Sequence, residues 1–368
     1  MVGCGLIAQV MHLHYLRELD ERFEIAALCD LSDELRAACA RAFDVPEQFS
    51  SWQELLERPL DAVLVLTSGS HAPIAMAAAN AGIHALVEKP MCFSVAEGSA
   101  MIAAAEAAGT VLMVGYNKRY DPAYLRLQSE MRDFPDLRLL RITTLESPIE
   151  PYVLHYNLRR GGPLPKSVAR TLAEDDAARI DAAVPGADEL SRWAYRSVLL
   201  DSLVHEFNAM RGVLGEPDSL DFADIRKTGL TAIFTYGAAQ CILAWVDLPS
   251  IARYSMEFAF YSPDRRLTLS FPSPFLRSMP TLLTSEDGKA HSPQATVTEE
   301  VVSFEESFKQ ELVHFHDCVT SGHTPTTSAR DALRDIALCE AVVAAHRAHT
   351  PVPRPSEPRV ATASKDRA

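Results

Sequence analysis

An aspartate and a histidine four residues apart, Asp201 and His205, are the first group of side chains suited to chemistry. On a helix, positions i and i+4 lie on one face, so both side chains can address the same cavity. Histidine has a pKa near neutrality and is the natural proton acceptor when an alcohol is oxidised, and a carboxylate one turn away can orient it. Taken alone, the pair is equally compatible with an ordinary surface Asp–His pair on a helix.

A lysine is the second candidate. Lys89 lies in the sequence Glu88-Lys89-Pro90, directly after an apolar run that predicts a parallel strand. Ligands of open α/β sheets bind at the carboxyl ends of the strands. A lysine at that edge can donate a hydrogen bond to a substrate hydroxyl and favour a developing oxyanion. A surface lysine that merely ends a strand is the competing interpretation of Lys89.

A glycine motif at the start of the chain indicates a dinucleotide site. It fits the pattern GxGxxG/A and consists of Gly3, Cys4, Gly5, Leu6, Ile7 and Ala8. Gly3 permits the tight turn, Gly5 lets the backbone approach a pyrophosphate, and a small residue at Ala8 lets helix and strand pack closely. A helix that starts here directs its free N–H groups at the phosphates. By itself such a motif is weak, because glycine pairs also occur by chance.

An aspartate strengthens the case for this site. A helical run follows the motif, and the next apolar run ends at Asp30, 25 residues after Gly5. A carboxylate at the end of the second strand can accept hydrogen bonds from the adenosine ribose and repels a 2′-phosphate. The sequence therefore predicts NAD as cofactor, with NADP as the alternative.

The strand that should precede Gly3 is very short, since only Met1 and Val2 come before it. A central strand normally has about five or six residues. Either the natural chain starts further upstream, which we favour, or the sheet tolerates a stub.

Four apolar runs in the first 120 residues predict strands buried on both faces of a parallel sheet. They are Glu24–Asp30, Ala62–Thr67, His84–Lys89 and Thr110–Asn117. Helical runs alternate with them at Asp33–Phe43, His71–Gly82 and Ser94–Gly109, with Ser32 and Ser94 as N-caps. This alternation predicts a doubly wound Rossmann sheet of class α/β over residues 1–122.

The pattern changes in residues 123–349, where strands follow one another without intervening helices. These runs predict an α+β domain with a mainly antiparallel open sheet: Leu137–Leu145, Gly229–Tyr236, Gln240–Asp247, Tyr254–Tyr261 and Arg266–Phe271. Helices are predicted at Glu305–Ser321 and Ser328–His349. The polar stretch 159–192 is predicted to be either a mobile insertion or a short helical excursion. The tail 350–368 carries four prolines and is expected to be poorly ordered.

Composition narrows the classes of function. Hydrophobic residues make up 48% and charged residues 23%, a balance typical of a packed protein. The formal net charge of −14 disfavours nucleic-acid and membrane-surface partners. The seven cysteines include no CxxC pair, and there is no signal peptide or membrane span, so we expect a cytoplasmic protein with reduced thiols. No metal site is predicted, because His314 and His316 are two residues apart and face different ways on a helix.

Together these pieces resemble the Gfo/Idh/MocA oxidoreductases, the family of glucose–fructose oxidoreductase and inositol 2-dehydrogenase. The similarity runs from Gly3 to about Tyr124 and includes VGCGLIAQ, LDAVLVLTSGSHAPIAMAAANAGIHALVEKP and VLMVGYNKRYDPAY. It resumes more weakly at LLDSLVHEFNAMRGVLGEP. The resemblance implies a substrate cleft between the two domains and a homo-dimer or homo-tetramer.

The resemblance also implies roles for individual residues. Lys89, Asp201 and His205 match the catalytic positions of the family, and Asn117 and Arg119 match a segment near nicotinamide and substrate. The residues implied to bind the cofactor are Gly3, Gly5, Leu6, Ile7, Ala8, Asp30, Thr67, His71, Glu88, Lys89 and Asn117. The implied reaction is oxidation of a secondary alcohol on a small polyhydroxy substrate, a sugar or cyclitol. His205 would take the proton, hydride would pass to nicotinamide C4, and Lys89 would steady the oxygen.

The sequence departs from the family pattern ahead of the histidine. Family members often have a glycine-rich run before the aspartate and a glycine two residues before the histidine, where this chain has Tyr-Arg-Ser-Val-Leu-Leu and Leu203. Two alternatives to a dehydrogenase stay open: a redox-neutral enzyme that uses NAD transiently to cleave a glycosidic bond, and a non-enzymatic regulator. Retention of Lys89, Asp201 and His205 together argues against the regulator.

Overall fold

A parallel sheet organises the first part of the chain. The computed structural model describes residues 1–349. The strands of this sheet are β1 (Ala27–Cys29), β2 (Glu47–Phe49), β3 (Ala62–Val65), β4 (His84–Glu88) and β5 (Leu112–Gly115). Val2 forms parallel bridges to both Cys29 and Val65, so the order is β2-β1-Val2-β3-β4-β5. The predicted doubly wound sheet is confirmed; β2 is a short, half-exposed strand that the sequence analysis missed.

Val2 occupies the central position of this sheet, between β1 and β3. The Val2 amide donates to the Leu64 carbonyl and the Leu66 amide donates to the Val2 carbonyl, both at 2.8 Å. On the other side the Gly3 amide donates to the Cys29 carbonyl at 2.8 Å. One residue therefore joins the two halves of the sheet and places the glycine motif at its carboxyl edge.

Helices cover both faces of the parallel sheet. A π-helical turn (Ala8–His12) leads into α1 (Leu13–Glu18), followed by α2 (Asp33–Phe43), α3 (Trp52–Leu56), α4 (Ala72–Asn80) and α5 (Val95–Ala108). Ser32 and Ser94 cap α2 and α5, where their side chains accept hydrogen bonds from the Leu35 and Glu97 amides. These caps satisfy amides that have no partner inside the helix, which explains why both helices begin where predicted.

The second sheet has eight strands. They are β6 (Leu139–Glu146), β7 (Ser219–Arg226), β8 (Gly229–Tyr236), β9 (Ala239–Asp247), β10 (Ser255–Tyr261), β11 (Arg265–Phe271), β12 (Leu282–Gly288) and β13 (Ala295–Val301). Their order is β13-β12-β11-β10-β6-β9-β8-β7, in which only the β6–β9 pair is parallel. The mainly antiparallel sheet is confirmed. The sequence analysis missed β7, β12 and β13, which lie at the two ends of the sheet, where exposed polar residues weaken the hydrophobic pattern.

Helices of the second domain pack beside this sheet and against the first domain. They are α6 (Pro122–Met131), α7 (Glu150–Val153), α8 (Lys166–Ala183), α9 (Glu189–Ala194), α10 (Val204–Leu214), α11 (Ser307–Ser321) and α12 (Ala329–Ala348). The stretch 159–192 thus contains an 18-residue helix, none of whose side chains is buried. The predicted tail 350–368 lies outside the described residues. Among residues 1–349, every helix is too short or too polar to cross a lipid bilayer.

A buried ion-pair network fixes α10 against α12. Arg211 donates to Asp335 at 2.6 Å and to Asp331 at 2.9 Å, and the Asn208 amide donates to Asp335 at 2.7 Å. Burial raises the pKa of Asp335 to about 7, against the opposing effect of Arg211. Since buried charges persist only when they are paired, this network sets the position of α10 and of the residues at its start.

Candidate active site

The two glycines of the motif differ in the space around them: Gly3 is packed tightly against backbone, whereas Gly5 faces open space. Gly3 has φ +98°, and a Cβ added there would lie 2.7 Å from the Leu66 carbonyl oxygen. A Cβ added to Gly5 would meet nothing within 4 Å. Ala8 is fully buried, as the close packing of helix and strand requires. The open space at Gly5 is where a pyrophosphate can approach the backbone.

Asp30 stands beside this turn at the end of β1. Its carboxylate accepts hydrogen bonds from the Cys4 amide at 2.8 Å and the Ser32 amide at 2.9 Å. These bonds fix the carboxylate next to the glycine motif, where it can face a ribose. Together with the free helix N-terminus, the turn and Asp30 fit a nicotinamide dinucleotide.

A cavity of about 310 Å³ lies between the two domains. Its lining includes nine of the residues predicted from sequence, among them Gly5, Thr67, Lys89, Asn117, Asp201 and His205. Leu6, Ile7 and Glu88 also line it. The structure therefore brings the start of the dinucleotide motif and the three candidate catalytic residues to one cleft.

The Lys89 side chain crosses the domain boundary. Its Nζ donates to the backbone carbonyl of Asp201 at 2.6 Å and to the Asp201 carboxylate at 3.2 Å. Lys89 is mostly enclosed, with 22% of its side chain exposed, whereas 62% of the Asp201 side chain is exposed. The ammonium is thus held at the edge of the cavity, and the carboxylate stays accessible to a ligand.

His205 lies in the cavity lining in surroundings that disfavour its charged form. The side chain is partly buried, its Nδ1 has no hydrogen-bond partner among the described residues, and its ring meets Tyr116 edge-on at 5.9 Å. Burial lowers the pKa of His205 well below 6.5, and the positive charges of Lys118 and Lys89 lower it further. An uncharged imidazole beside an ammonium is ready to accept a proton.

A buried Glu88–His12 pair supports the Lys89 backbone. His12 Nε2 and the Glu88 carboxylate are 2.7 Å apart, and Glu88 accepts a second bond from the Lys89 amide at 3.1 Å. Burial alone would raise the pKa of Glu88, but the hydrogen bond and charge of His12 outweigh it and hold the pKa below its usual value. Glu88 therefore positions the peptide that carries Lys89, in addition to lining the cavity.

Asn117, Lys118 and Arg119 lie in one short 3₁₀ turn but point to different surroundings. Asn117 is buried, lines the cavity and donates to the Ser307 hydroxyl at 2.8 Å. The Arg119 guanidinium donates to Asn208 at 3.2 Å and lies 3.4 Å from Asp331. Arg119, which the resemblance places near the substrate, is not among the residues that line the cavity; it completes the ion-pair network behind α10.

His71 also lies outside the cavity lining. It is buried, and its Nε2 is 2.8 Å from the Thr67 carbonyl. Burial lowers its pKa. His71 fixes the Thr67 loop, and Thr67 lines the cavity.

Three residues that the sequence analysis missed adjoin the cleft. Lys118 is buried, which lowers its pKa to about 8, and its Nζ lies 5.8 Å from the Phe271 ring centre. Glu206 is buried, which raises its pKa to about 7, and it accepts a hydrogen bond from the Thr144 hydroxyl. Arg196 lines the cavity with its guanidinium 5.1 Å from the Phe93 ring centre. The only sequence signal for Lys118 and Glu206 is that each adjoins a predicted site residue.

The segment ahead of His205 forms a helix without the glycines common in the family. Tyr195–Leu203 is π-helical and continues directly into α10. Its apolar side chains are buried: Tyr195, Val198, Leu199, Leu200 and Leu203. The wider π-helical turn still lets Asp201 and His205 line the same cavity, so the departure changes the local backbone without separating the pair.

Comparison with protein families identifies the class. Residues 1–116 match the domain described as "Oxidoreductase family, NAD-binding Rossmann fold", and residues 273–353 match the "C-terminal alpha/beta domain" of the same family. The chain belongs to the Gfo/Idh/MocA oxidoreductase family. It is an NAD(P)-dependent dehydrogenase acting on CH–OH groups.

Curated relatives agree with this assignment. D-apiose dehydrogenase of Paraburkholderia graminis is 36% identical over 135 residues, which covers 36% of this chain and 36% of that relative. Myo-inositol 2-dehydrogenase of Thermotoga maritima is 24% identical over 348 residues, which covers 90% of both chains.

Solved structures share the fold. A 3-ketoreductase from Actinomadura kijaniata, solved in complex with TDP-benzene and NADP, aligns with a TM-score of 0.70 at 21% identity and covers 94% of this chain and 96% of its own. An oxidoreductase from Agrobacterium radiobacter, in complex with NAD+, L-tartaric acid and magnesium, aligns with a TM-score of 0.69 at 18% identity and covers 94% and 95%. At these identities the likeness establishes the two-domain architecture.

The two glycines of the motif give a matched test of the nucleotide site. Gly3→Ala should lower the free energy of unfolding by about 2–4 kcal/mol, because its Cβ meets the Leu66 backbone and its φ is unfavourable for alanine. Gly5→Ala should leave stability within about 0.5 kcal/mol and weaken NADH binding at least about tenfold. Urea unfolding and fluorescence titration measure both effects. Unchanged nucleotide affinity in Gly5→Ala would exclude the assigned phosphate approach.

Proposed function

We propose that this enzyme oxidises a secondary alcohol of a sugar, cyclitol or sugar-like molecule, with Lys89, Asp201 and His205 as its catalytic residues. The observation that carries the proposal is their meeting in one cavity, which is also lined by Gly5 of the dinucleotide motif. Relatives named for D-apiose and myo-inositol support a polyhydroxy substrate. A cavity of about 310 Å³ suits a small substrate of that kind.

The three side chains have different roles at the substrate hydroxyl. His205 accepts the hydroxyl proton, because its lowered pKa leaves the imidazole uncharged at neutral pH. The Lys89 ammonium donates a hydrogen bond to the same oxygen and stabilises the negative charge that develops there. The accessible Asp201 carboxylate holds Lys89 and accepts a bond from a neighbouring hydroxyl. When bound, the nicotinamide supplies the hydride acceptor.

Asp30 favours NAD over NADP as the physiological cofactor. The carboxylate is held by two backbone amides at the end of β1, a position from which it accepts ribose hydroxyl bonds and repels a 2′-phosphate. Solved neighbours are described with NAD+ in one case and NADP in another, so both nucleotides belong in the titration.

The catalytic assignment predicts a separation of turnover from nucleotide binding. His205→Ala and Lys89→Ala should each lower kcat by about 100-fold or more while NADH still binds, because the proton acceptor or the oxyanion donor is lost. Steady-state rates on a sugar and cyclitol panel and NADH titration measure the two quantities.

Lys309→Ala serves as the control, since that lysine pairs with Glu18 on the surface. Near-normal kcat in either cleft variant would refute its catalytic role. Net NADH formation also separates a dehydrogenase from a redox-neutral enzyme that recycles its nucleotide.

The pH profile tests the state of His205. Because burial, Lys118 and Lys89 lower its pKa well below 6.5, the imidazole stays unprotonated as the pH falls from about 7.5 to about 6.5. We expect kcat/KM for alcohol oxidation to hold over that window and to decline only at lower pH. Lys118→Met removes one positive charge and should move the acid limb to higher pH, whereas Lys118→Arg should not. An acid limb with its midpoint at or above 6.5 in the parent enzyme would contradict this assignment.

We propose that the molecule forms a homo-dimer or homo-tetramer through the open face of the eight-stranded sheet. Along β8 and β9 every second side chain is only partly buried, and Ile233 pairs with Ile242 on that face. Light scattering after size-exclusion chromatography should give two or four times the chain mass of 40.4 kDa. Ile233→Glu should shift the protein towards monomer, and a parent that is monomeric at micromolar concentration would refute the proposal.

We also propose a reducing, cytoplasmic compartment. All seven cysteines are buried and unpaired, which supports a protein that needs no disulfides.

A further inference from the structure

We propose that Gln9 is a positioning residue that ties a strap of the second domain, residues 157–162, across the dinucleotide site and thereby slows nucleotide release. The inference rests on nucleotide binding by the first domain and is independent of the alcohol chemistry. Gln9 follows the glycine motif by one residue, and the strap connects α7 to α8.

The tie is a reciprocal pair of hydrogen bonds. The Arg159 amide donates to Gln9 Oε1 at 2.7 Å, and Gln9 Nε2 donates to the Arg159 carbonyl at 3.1 Å. Gln9 Nε2 also donates to the Cys4 carbonyl at 2.8 Å, inside the glycine motif. One carboxamide therefore joins the phosphate-binding turn to the strap. A glutamine fits this task because its side chain offers an acceptor and two donors together.

The strap continues towards the adenosine side of the site. The Gly162 amide donates to the Glu34 carboxylate at 3.1 Å. A Cβ added to Gly161 would clash with the Ser32 hydroxyl, so the strap touches the start of α2. Ser32 is the residue whose amide binds Asp30, which marks the ribose position. The strap thus passes from the glycine motif to the end of β1.

Contacts of α8, the helix that follows the strap, anchor its other end near α5 and the loop after β3. Arg179 forms an ion pair with Glu97 at the start of α5, and Asp176 approaches Gly69 in the loop after β3. Leu158 packs against the same apolar cluster as Leu6 and Ile7. The second domain therefore spans the carboxyl edge of the parallel sheet from β1 to β3, the edge along which a dinucleotide lies. Nucleotide entry or release requires this cover to move.

The experiment measures nucleotide dissociation without substrate. Enzyme loaded with NADH is mixed with excess NAD+, and the fluorescence decay gives the dissociation rate. Gln9→Ala should release NADH about tenfold faster, the effect expected when hydrogen bonds of ordinary strength are lost, with a smaller change in the association rate. Gln128→Ala is the matched control, because Gln128 also donates to a backbone carbonyl, that of Gly212 at 2.6 Å, outside the strap.

A second measurement reports on the strap itself. Trypsin cleaves after Arg159 and Arg160, so cleavage of the folded protein follows strap opening. Gln9→Ala should speed this cleavage in nucleotide-free protein, and NADH should slow it in the parent. Gly161→Val, which pushes the strap away from Ser32, should act like Gln9→Ala.

The outcomes are distinct. Parental NADH release and parental cleavage in Gln9→Ala would overturn the inference, as would equal effects in Gln128→Ala. If the parent protein binds neither NADH nor NADPH, the proposed function fails, while the cleavage comparison still decides whether Gln9 holds the strap.

Discussion

The contact between Lys89 and Asp201 is the interaction on which the cleft depends. Lys89 belongs to the end of β4 in the first domain, and Asp201 to the helical segment leading into α10 in the second. The ammonium binds both the carboxylate and the backbone carbonyl of Asp201, so it fixes the helix as well as the side chain. The Glu88 carboxylate accepts a hydrogen bond from the Lys89 amide and so fixes that peptide. The ion pair between Arg211 and Asp335 fixes α10 against α12. The geometry of the candidate site therefore results from buried polar contacts on both sides of one interdomain bond.

Burial shifts the pKa values of the ionisable side chains around the cleft in directions that depend on the sign of their charge. His205 and Lys118 both lose their hydration inside the protein, which lowers the pKa of each, whereas the same effect raises the pKa of Glu206 to about 7. A neutral imidazole and a cationic lysine can thus coexist at neutral pH in one apolar environment.

Much of the site could be predicted from sequence because its residues lie where short patterns end. Gly3, Gly5, Asp30 and Lys89 follow or end apolar runs, and parallel strands bring their carboxyl ends to one edge. Arg119 lies apart from the cavity lining because neighbouring positions in a 3₁₀ turn point in different directions, which a spacing pattern does not resolve. The pairing of His12 with Glu88, and of Gln9 with Arg159, depends on contacts between segments 76 and 150 residues apart. Such long-range partners leave no local pattern.

The turn that contains Asn117, Lys118 and Arg119 limits which insertions and deletions this sequence can tolerate. Of the three consecutive side chains, Asn117 lines the cleft and Lys118 lies buried near Glu206. Arg119 binds Asn208 behind α10. Inserting or deleting one residue there would rotate all three at once, so binding, proton affinity and stability would be lost together. Point substitutions can alter these properties separately, but length changes cannot. This four-residue turn is therefore a part of the cleft whose length is hardly free to vary.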